Sequence, residues 1–251
     1  MGAWEQDGYG VRVEWGPAGA RRLVPHVACL VVVDVLSFTT TVSVAADAGT
    51  TVYPYAWRDG TAAAYVTTMD ARLAVGRTEA NPRSPWSLSP AALRTAPVTP
   101  RLVLPSPNGS AIAAAARDDG RGVAVVAGCL RNAAAVGRWL TAAGYGAADR
   151  PVAVVAAGER WPDGSLRPAL EDLLGAGAVV GALGGARLSP EAVAARAAAG
   201  AAGDDLAATL RDCASGRELI ARGFPDDVAI AAERDTSDVV PVLAGGGFSP
   251  A

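Results

Sequence analysis

The sequence is poor in residue types that several protein classes need. Its 251 residues include one histidine and three cysteines. A histidine-rich zinc site or a Ser-His-Asp triad would therefore have almost no ligands or bases available. Cys29, Cys129 and Cys213 are odd in number and far apart, which predicts reduced, buried thiols and not a disulfide framework. We expect His26 to be structural as well.

Long apolar runs and an excess of positive charge are also missing. No run approaches about eighteen apolar residues, and the first ten residues do not combine a basic region with an apolar stretch. We therefore expect neither a membrane span nor an export signal. The formal net charge of −3 argues against nucleic acid as a partner. These absences predict a cytoplasmic protein.

Apolar residues are abundant: 51% of the chain is hydrophobic and 19% is charged. That composition is enough for one sizeable core. We predict a single domain over residues 1–251, and we place any boundary between two lobes near residues 95–105.

Four short apolar runs share one pattern, in which a run of strand length is followed by polar residues and then by helix-forming sequence. They cover residues 27–35, 102–104, 123–127 and 152–157. Continuous apolar runs are typical of strands buried on both faces, and their alternation with helices indicates βαβ units. The sequence predicts a three-layer α/β/α fold with a mainly parallel or mixed sheet.

Other segments are less regular. Residues 58–93, with a middle rich in Pro, Ser and Trp, predict a long surface loop that could cover a site. Ser189 and Pro190 predict the N-cap and first turn of a helix. We expect the glycine-rich tail, residues 244–251, to be frayed.

Asp34 is the first candidate site residue, because it ends the most hydrophobic run of the chain. A carboxylate there is costly unless it meets water, a metal or hydrogen-bond donors. Ligands of parallel sheets bind beyond the carboxyl ends of the strands, so we expect the polar residues after different strands to converge at one edge. Mg²⁺ takes one or two carboxylates together with water and phosphate, which makes Asp34 a candidate ligand. The alternative is an aspartate that caps the next helix.

Hydroxyl and amide side chains supply the other candidates. Hydroxyls and free N–H groups at a helix N-terminus can bind phosphate, and a glycine lets the backbone approach a ligand closely. For each of these residues the alternative is a routine turn, cap or packing role. The group after Asp34 is Ser37, Thr39, Thr40 and Thr41, and the later groups are Asn108-Gly109-Ser110 and Gly128 with Asn132.

Glu171 and Asp172 are adjacent on a predicted helix that runs to about Leu183. Their side chains diverge by about 100°. We therefore expect one of them to bind a metal, directly or through water, and the other to act as a cap or support. The alternative is that both complement the helix dipole. Glu159, just upstream, belongs either to a loop of the site or to solvated charge, and we favour solvated charge.

Taken in order, these motifs resemble the 2-phosphosulfolactate phosphatases. No single piece is specific, and the resemblance depends on their order and spacing across most of the chain. The matching pieces are Val33-Asp34-Val35-Leu36 with the hydroxyls that follow, Pro107-Asn108-Gly109-Ser110, Gly128 with Asn132, Ala157-Gly158, Glu171-Asp172 with Ala176-Gly177, Gly216 with Leu219, Asp227-Val228 and Val240-Pro241.

The resemblance implies a three-layer α/β fold, a Mg²⁺ requirement and hydrolysis of a phosphomonoester to inorganic phosphate. The substrate named for the family is 2-phospho-3-sulfolactate, an intermediate towards coenzyme M. We hypothesise that the substrate is a small phosphorylated (sulfo)carboxylate, and we include a homodimer among the expectations. The hypothesis assigns catalysis to Asp34, Asn108 and Glu171, the metal to Asp34, Glu171 and Asp172, and substrate binding to Ser37, Thr39, Thr40, Gly109, Ser110 and Asn132.

The chain departs from the family pattern at Ser37, where an arginine is expected. Arg77, Arg83 or Arg131 could supply the replacement charge. The departure motivates an alternative function, a catalytically silent or regulatory member of the fold that binds a phosphorylated ligand. A haloacid-dehalogenase-type phosphatase would need Asp-Xaa-Asp, but the second position here is Leu36. A NAD-binding domain would need Gly-Xaa-Gly-Xaa-Xaa-Gly after the first strand, and that motif is missing.

Overall fold

The computed structural model describes residues 3–56, 61–117 and 122–251. Its strands are β1 (Val11–Trp15), β2 (Cys29–Val33), β3 (Thr51–Tyr55), β4 (Arg72–Leu73), β5 (Arg101–Pro105), β6 (Ala124–Gly128), β7 (Val152–Ala156), β8 (Glu159–Arg160), β9 (Leu166–Arg167), β10 (Pro241–Ala244) and β11 (Gly247–Pro250). Its helices are α1 (Gly16–Leu23), α2 (Phe38–Asp47), α3 (Thr61–Met69), α4 (Pro90–Thr95), α5 (Gly109–Arg117), α6 (Ala133–Ala142), α7 (Leu170–Ala182), α8 (Pro190–Ala202), α9 (Leu206–Asp212), α10 (Ala214–Ala221) and α11 (Pro225–Ala231).

Within the described residues, nine strands form one sheet in the order β1-β7-β2-β6-β10-β11-β3-β5-β4. Strands β1, β7, β2 and β6 are parallel to one another. Strands β3, β5 and β4 form a second parallel group. The antiparallel hairpin of β10 and β11 joins the two groups. The sheet is therefore mixed, as the sequence predicts, and the four apolar runs correspond to β2, β5, β6 and β7.

Alternate residues of β2 separate the two apolar layers. Val31 and its neighbours at odd positions pack with helices α6 and α7, for example against Val179. Val32 and Leu30 belong to the other cluster, which includes Ile112 of α5 and residues of α2. Because a strand's side chains point alternately to opposite faces, helices cover both sides of the sheet. The predicted three-layer α/β/α arrangement is confirmed.

The expectation of a frayed tail is wrong. Residues 241–250 form the central hairpin of the sheet, with Val242 paired to β6 and Phe248 paired to β3. Gly245 and Gly246 adopt positive φ angles of 57° and 86°, which glycine tolerates and which the tight turn requires. Phe248 is 0% exposed and packs edge-on against Phe38, so burial of an aromatic ring anchors this segment.

The predicted surface loop over residues 58–93 is also corrected. Residues 58–60 lie outside the described part of the chain, and the remainder contains α3, β4, a 3₁₀ turn at Arg77–Glu79 and the start of α4. Ser87 is 0% and Leu88 9% exposed, so part of the segment packs inside the molecule. It contributes residues to the site described below.

Several smaller expectations are confirmed. Helix α7 ends one residue before Leu183, and the hydroxyl of Ser189 accepts a hydrogen bond from the Ala192 amide at the start of α8. Cys29, Cys129 and Cys213 are buried free thiols.

No helix in the described part of the chain is long and apolar enough to cross a bilayer.

Candidate active site

Three of the predicted strand-end loops meet at a cavity of about 460 Å³. Asp34 and Ser37 follow β2, Asn108 follows β5, and Glu159 follows β7. The expected convergence of polar residues from different strands is therefore found for these loops. Other segments complete the cavity wall with Leu36, Ala56, Arg77, Leu88, Ser106, Pro107, Ser215, Glu218, Leu219 and Arg222.

Asp34 connects the first turns of two helices at this cavity. Its Oδ1 accepts a hydrogen bond from the Phe38 amide of α2 at 3.1 Å, and its Oδ2 accepts one from the Gly109 amide of α5 at 2.9 Å. The capping role considered from the sequence is thus present. Each carboxylate oxygen has a further lone pair, so capping leaves Asp34 able to bind a cation.

A negative charge on Asp34 is costly in this position. The pKa of Asp34 is raised to about 6, first by burial and also by the charge of Glu171. The two backbone amides and the charge of Arg77 lower the pKa without cancelling that effect. A cation placed beside Asp34 would relieve the cost of its charge.

Glu171 lies on the first turn of α7 and is 2% exposed. Its Oε2 accepts a hydrogen bond from Cys213 Sγ at 3.4 Å. In the described part of the chain, neither Asp34 nor Glu171 has a salt-bridge partner. Both carboxylates are buried, repel each other and lack a salt-bridge partner. Such a pair suits Mg²⁺, which needs one or two carboxylate ligands. Among the same residues, no group of three His, Cys, Asp or Glu side chains is placed to hold a metal.

Of the adjacent carboxylates Glu171 and Asp172, Asp172 has the supporting role. Its Oδ1 accepts from the Val35 amide at 2.7 Å, and its Oδ2 accepts from the Gly158 amide at 2.8 Å. The side chain therefore ties the end of β2 to the end of β7. Burial raises the pKa of Asp172, and the charges of Asp34 and Glu171 raise it further. Asp172 is not among the candidate ligands because, unlike Asp34, it does not line the cavity and, unlike Glu171, it accepts backbone hydrogen bonds on both of its oxygens.

The threonine hydroxyls after Asp34 bond to the protein itself. Thr39 Oγ1 donates to the Asp34 carbonyl at 2.9 Å and accepts from the Asp34 amide at 3.0 Å. Thr40 Oγ1 donates to the Val35 carbonyl at 2.8 Å, and Thr41 Oγ1 donates to the Leu88 carbonyl at 3.1 Å. All three side chains are 0% exposed. Their geometry gives Thr39 and Thr40 a structural role in the turn that carries Asp34, in place of the predicted substrate contact.

Asn108 and Gly109 both belong to the cavity region, for different reasons. The side chain of Asn108 lines the cavity, and its Nδ2 donates to Glu159 Oε2 at 3.1 Å. Gly109 lies against the Asp34 turn, where an added Cβ would be 2.3 Å from Phe38 Cδ1 and 2.9 Å from Asp34 Oδ2. The close backbone approach predicted for this glycine is therefore made to Asp34.

Two of the predicted substrate-binding residues lie elsewhere. Ser110 is 2% exposed, and it lines a separate cavity of about 830 Å³ between α1, α5 and β3. Asn132 is 0% exposed. Its Oδ1 accepts from the Cys129 amide at 2.9 Å, and its Nδ2 donates to the Ala127 carbonyl at 3.2 Å. Asn132 therefore holds the turn after β6 in place.

Glu159 lines the cavity, although the sequence favours solvated charge over a loop of the site for this side chain. The side chain is partly buried. Its pKa is raised to about 7, first by burial and then by the charge of Asp34. The available signal was its position, directly after a buried strand and Gly158, which parallels the position of Asp34 after β2.

Of the three candidate arginines, Arg77 is the one that lines the cavity. Its Nη2 donates to Ser37 Oγ at 2.6 Å, and its Nε donates to Asp227 Oδ2 at 3.0 Å. Arg131 is 3% exposed and is paired with Asp47 at 2.7 Å, away from the cavity wall. Arg83 is exposed and does not line the cavity.

Comparison with known proteins identifies the family of the chain. The family model described as 2-phosphosulpholactate phosphatase matches residues 20–246. No curated protein matches the chain. The matched range contains Asp34, Asn108, Glu159 and Glu171 and extends almost to the end of the chain. The chain therefore belongs to the 2-phosphosulpholactate phosphatase family.

Proposed function

We propose that this protein hydrolyses a small organic phosphomonoester to an alcohol and inorganic phosphate, with Mg²⁺ as its cofactor. The proposed substrate is 2-phosphosulfolactate or a related phosphorylated hydroxyacid, which would make the reaction a cytoplasmic step towards coenzyme M. Family membership supports the reaction class. The observation that carries the proposal is Asp34 in the wall of a polar cavity, with the buried carboxylate of Glu171 close enough to raise its pKa and with no salt bridge to either among the described residues.

In this proposal Asp34 and Glu171 hold the metal. When bound there, Mg²⁺ supplies neutralisation of the phosphate charge and polarisation of a phosphoryl oxygen. The first turns of α2 and α5 meet at Asp34, so their partial positive charge also favours an anion at this end of the cavity.

Asn108 positions the phosphate. One N–H of its Nδ2 is used by Glu159, which leaves the second N–H for a phosphoryl oxygen. Catalysis by such a site depends on holding the phosphoryl group in place and offsetting its charge, because the chemistry of phosphoryl transfer needs little else from the protein.

Glu159 is the group that moves a proton in this proposal. In the metal-free protein its pKa is about 7, raised first by burial, and a buried carboxyl that holds its proton near neutral pH suits a donor to the leaving alcohol oxygen. Asn108 holds one of its carboxyl oxygens, so the other is available to the substrate. A carboxyl with an ordinary pKa would be ionised and unable to donate.

Phosphate release from a panel of small phosphomonoesters tests the proposal. The panel includes 2-phosphosulfolactate, 2-phospholactate and isopropyl phosphate, each with Mg²⁺, with EDTA, and with EDTA followed by excess Mg²⁺. We expect release with Mg²⁺, loss of release with EDTA and recovery on adding the metal back. Calorimetric binding of the same compounds without any release would contradict the proposal and favour the silent, ligand-binding alternative.

A further inference from the structure

Glu171 is held by fewer hydrogen bonds than the two carboxylates near it. The oxygens of Asp34 accept hydrogen bonds from two backbone amides, and so do those of Asp172. Glu171 is 2% exposed, yet within the described residues its carboxylate accepts a single hydrogen bond, from Cys213 Sγ to Oε2 at 3.4 Å. Its Oε1 accepts none from the same residues. A buried carboxylate with one oxygen left open needs a further partner, and a cation is the partner that suits it.

The direction of the Glu171 carboxylate depends on that one hydrogen bond. A glutamate side chain has one more rotatable bond than an aspartate, so it has more directions to choose from. The ligands of a bound metal are oriented by hydrogen bonds from neighbouring groups, and losing such a neighbour typically weakens metal binding by about 10- to 100-fold. The thiol of Cys213 is the neighbour that does this for Glu171.

The hydrogen of this bond belongs to the sulfur. An ionised carboxylate only accepts hydrogen bonds, so the thiol of Cys213 is the donor. The Sγ also lies 3.2 Å from the Leu210 carbonyl oxygen, which competes for the same hydrogen. A charged acceptor forms the stronger hydrogen bond, which favours Glu171 over the neutral carbonyl.

Cys213 is itself fixed, because it stands where α9 ends and α10 begins. Its amide donates to the Thr209 carbonyl at 3.0 Å, and its carbonyl accepts from the Arg217 amide at 2.9 Å. Its Sγ accepts from the Gly216 amide at 3.3 Å, which makes the sulfur the cap of α10. Backbone and side chain are both engaged, so the thiol is in place before any ligand arrives.

The junction of α9 and α10 is closely packed. An added Cβ on Gly216 would stand 1.8 Å from the Leu210 carbonyl oxygen, so the start of α10 rests directly on the end of α9. Helix α10 also forms one part of the cavity wall, through Ser215, Glu218, Leu219 and Arg222. Cys213 therefore links Glu171 to the helix that encloses the substrate cavity.

We infer that Cys213 is a positioning residue of the metal site, because its thiol directs the Glu171 carboxylate towards the cation that Glu171 shares with Asp34. The inference rests on the proposed function, since it takes Asp34 and Glu171 as the ligands of Mg²⁺. It adds to that function a role for a thiol that is absent from the cavity wall. Loss of the S–H group should weaken metal binding, and a higher metal concentration should offset the loss.

Titration of the metal-free protein with Mn²⁺ tests this role, with the free ion followed by electron paramagnetic resonance. Mn²⁺ takes the same oxygen ligands as Mg²⁺. We expect Cys213→Ala to raise the Kd for Mn²⁺ roughly 10-fold or more. Cys213→Ser keeps a donor and a cap at this position, so its Kd should stay within about threefold of the wild type. The Mg²⁺ concentration that gives half-maximal phosphate release should rise in parallel in Cys213→Ala, and excess Mg²⁺ should restore most of its rate.

Ser189→Ala is the matched control for the loss of a helix cap. The Ser189 hydroxyl accepts from the Ala192 amide at 3.1 Å and caps α8, much as the Cys213 sulfur caps α10, but it makes no contact with Glu171. We expect this variant to lose stability and to keep the wild-type Kd for Mn²⁺.

A second variant covers the case in which Cys213→Ala does not fold. Cys213→Val fills the space of the thiol and has no donor, and the extended backbone at this position suits a β-branched residue. Its Kd for Mn²⁺ should rise as expected for Cys213→Ala.

The possible failures are distinguishable. If the wild type binds Mn²⁺ and the alanine or valine variant binds it equally well, the inference is overturned and the proposed function stands. An equal rise in Kd for Cys213→Ala and Ser189→Ala would overturn it by showing a general effect of stability. An equal rise for Cys213→Ala and Cys213→Ser would overturn it by showing that the hydrogen bond is not what matters. A wild type that binds no Mn²⁺ would refute the proposed metal site and the inference together.

Discussion

Single residues of the site are placed where their charge costs free energy. Asp34, Glu159 and Asp172 all have raised pKa values, and burial is the first cause for each. Natural proteins accept such costs where a ligand or a reaction uses the charge. These three carboxylates therefore make the stability of the metal-free protein dependent on pH.

The pH dependence can be isolated with Glu159→Gln. The folded pKa of Glu159 is about 7, above its ordinary value of 4.5, so the folded state binds this proton more tightly than the unfolded state does. Its contribution to stability is present at acid pH and is lost as the pH rises through about 7. In EDTA we expect Glu159→Gln to melt higher than the wild type at pH 8, with a smaller difference at pH 5.

Thermal unfolding at both pH values checks this expectation. Glu191→Gln is the matched control, because Glu191 is an exposed glutamate in the first turn of α8. The account of Glu159 fails if the Glu159→Gln difference from the wild type is the same at pH 5 and pH 8.

At this scale the sequence predicts Asp34, offers Arg77 as one of three candidate arginines, and favours solvated charge for Glu159. Asp34 ends a strongly apolar strand, and that signal is local. Glu159 belongs to a charged loop that looks solvated until the fold brings it beside Asn108. Arg77 becomes a site residue through contacts with Ser37 and Asp227, which are 40 and 150 positions away in the chain.

Among the elements, the first turn of α2 shows how the protein supports the site. Asp34, Thr39 and Thr40 bond to one another or to the backbone of the preceding turn, which fixes the approach from β2 into α2. Sequence reasoning finds the strand, the turn and the helix. It does not distinguish a hydroxyl that faces a ligand from one that faces a backbone carbonyl, because both patterns are the same run of threonines.

Thr40→Val tests this distinction. The change keeps the shape of the side chain but leaves the buried Val35 carbonyl without its donor. We expect the free energy of unfolding to fall by about 1–3 kcal/mol. We expect KM for the substrate to stay within about twofold, since the hydroxyl bonds to the Val35 carbonyl and does not line the cavity.

Denaturant unfolding and steady-state kinetics on the same preparation measure both effects. Thr68→Val, which removes an exposed hydroxyl bonded to the Ala64 carbonyl in α3, is the control for stability. An unchanged stability combined with a large rise in KM would show that Thr40 binds substrate after all.

For the whole molecule, the C-terminal hairpin connects the two parallel groups of the sheet. Strands β10 and β11 lie between β6 and β3, and Phe248 packs against Phe38 in the first turn of α2. The layers and four strands follow from apolar runs in the sequence. The hairpin does not, because its strands are short and glycine-rich, and only pairing with distant strands makes them part of the core.

Phe248→Ala should therefore lower the stability of the whole fold. The side chain is fully buried, so its removal leaves a cavity, and we expect a loss of about 3–5 kcal/mol in the free energy of unfolding. The T-shaped contact with Phe38 is lost as well.

Denaturant melts compare this variant with Val98→Ala, which truncates an apolar side chain that is 70% exposed. The control should change stability by less than about 0.5 kcal/mol. A similar, small effect of both substitutions would mean that the hairpin does not belong to the folded core.

The most direct test of the central claim is phosphate release by Asp34→Asn with Mg²⁺ present. The variant loses the charge that we assign to metal binding, and we expect the rate to fall by roughly a thousandfold or more. Asp235→Asn is the control, because Asp235 also accepts a backbone hydrogen bond at a helix start, from the Ala134 amide, but lies outside the cavity wall. The account predicts that Asp34→Asn stays folded by circular dichroism and is inactive, while Asp235→Asn stays active. A folded Asp34→Asn protein that releases phosphate at nearly the wild-type rate would contradict it.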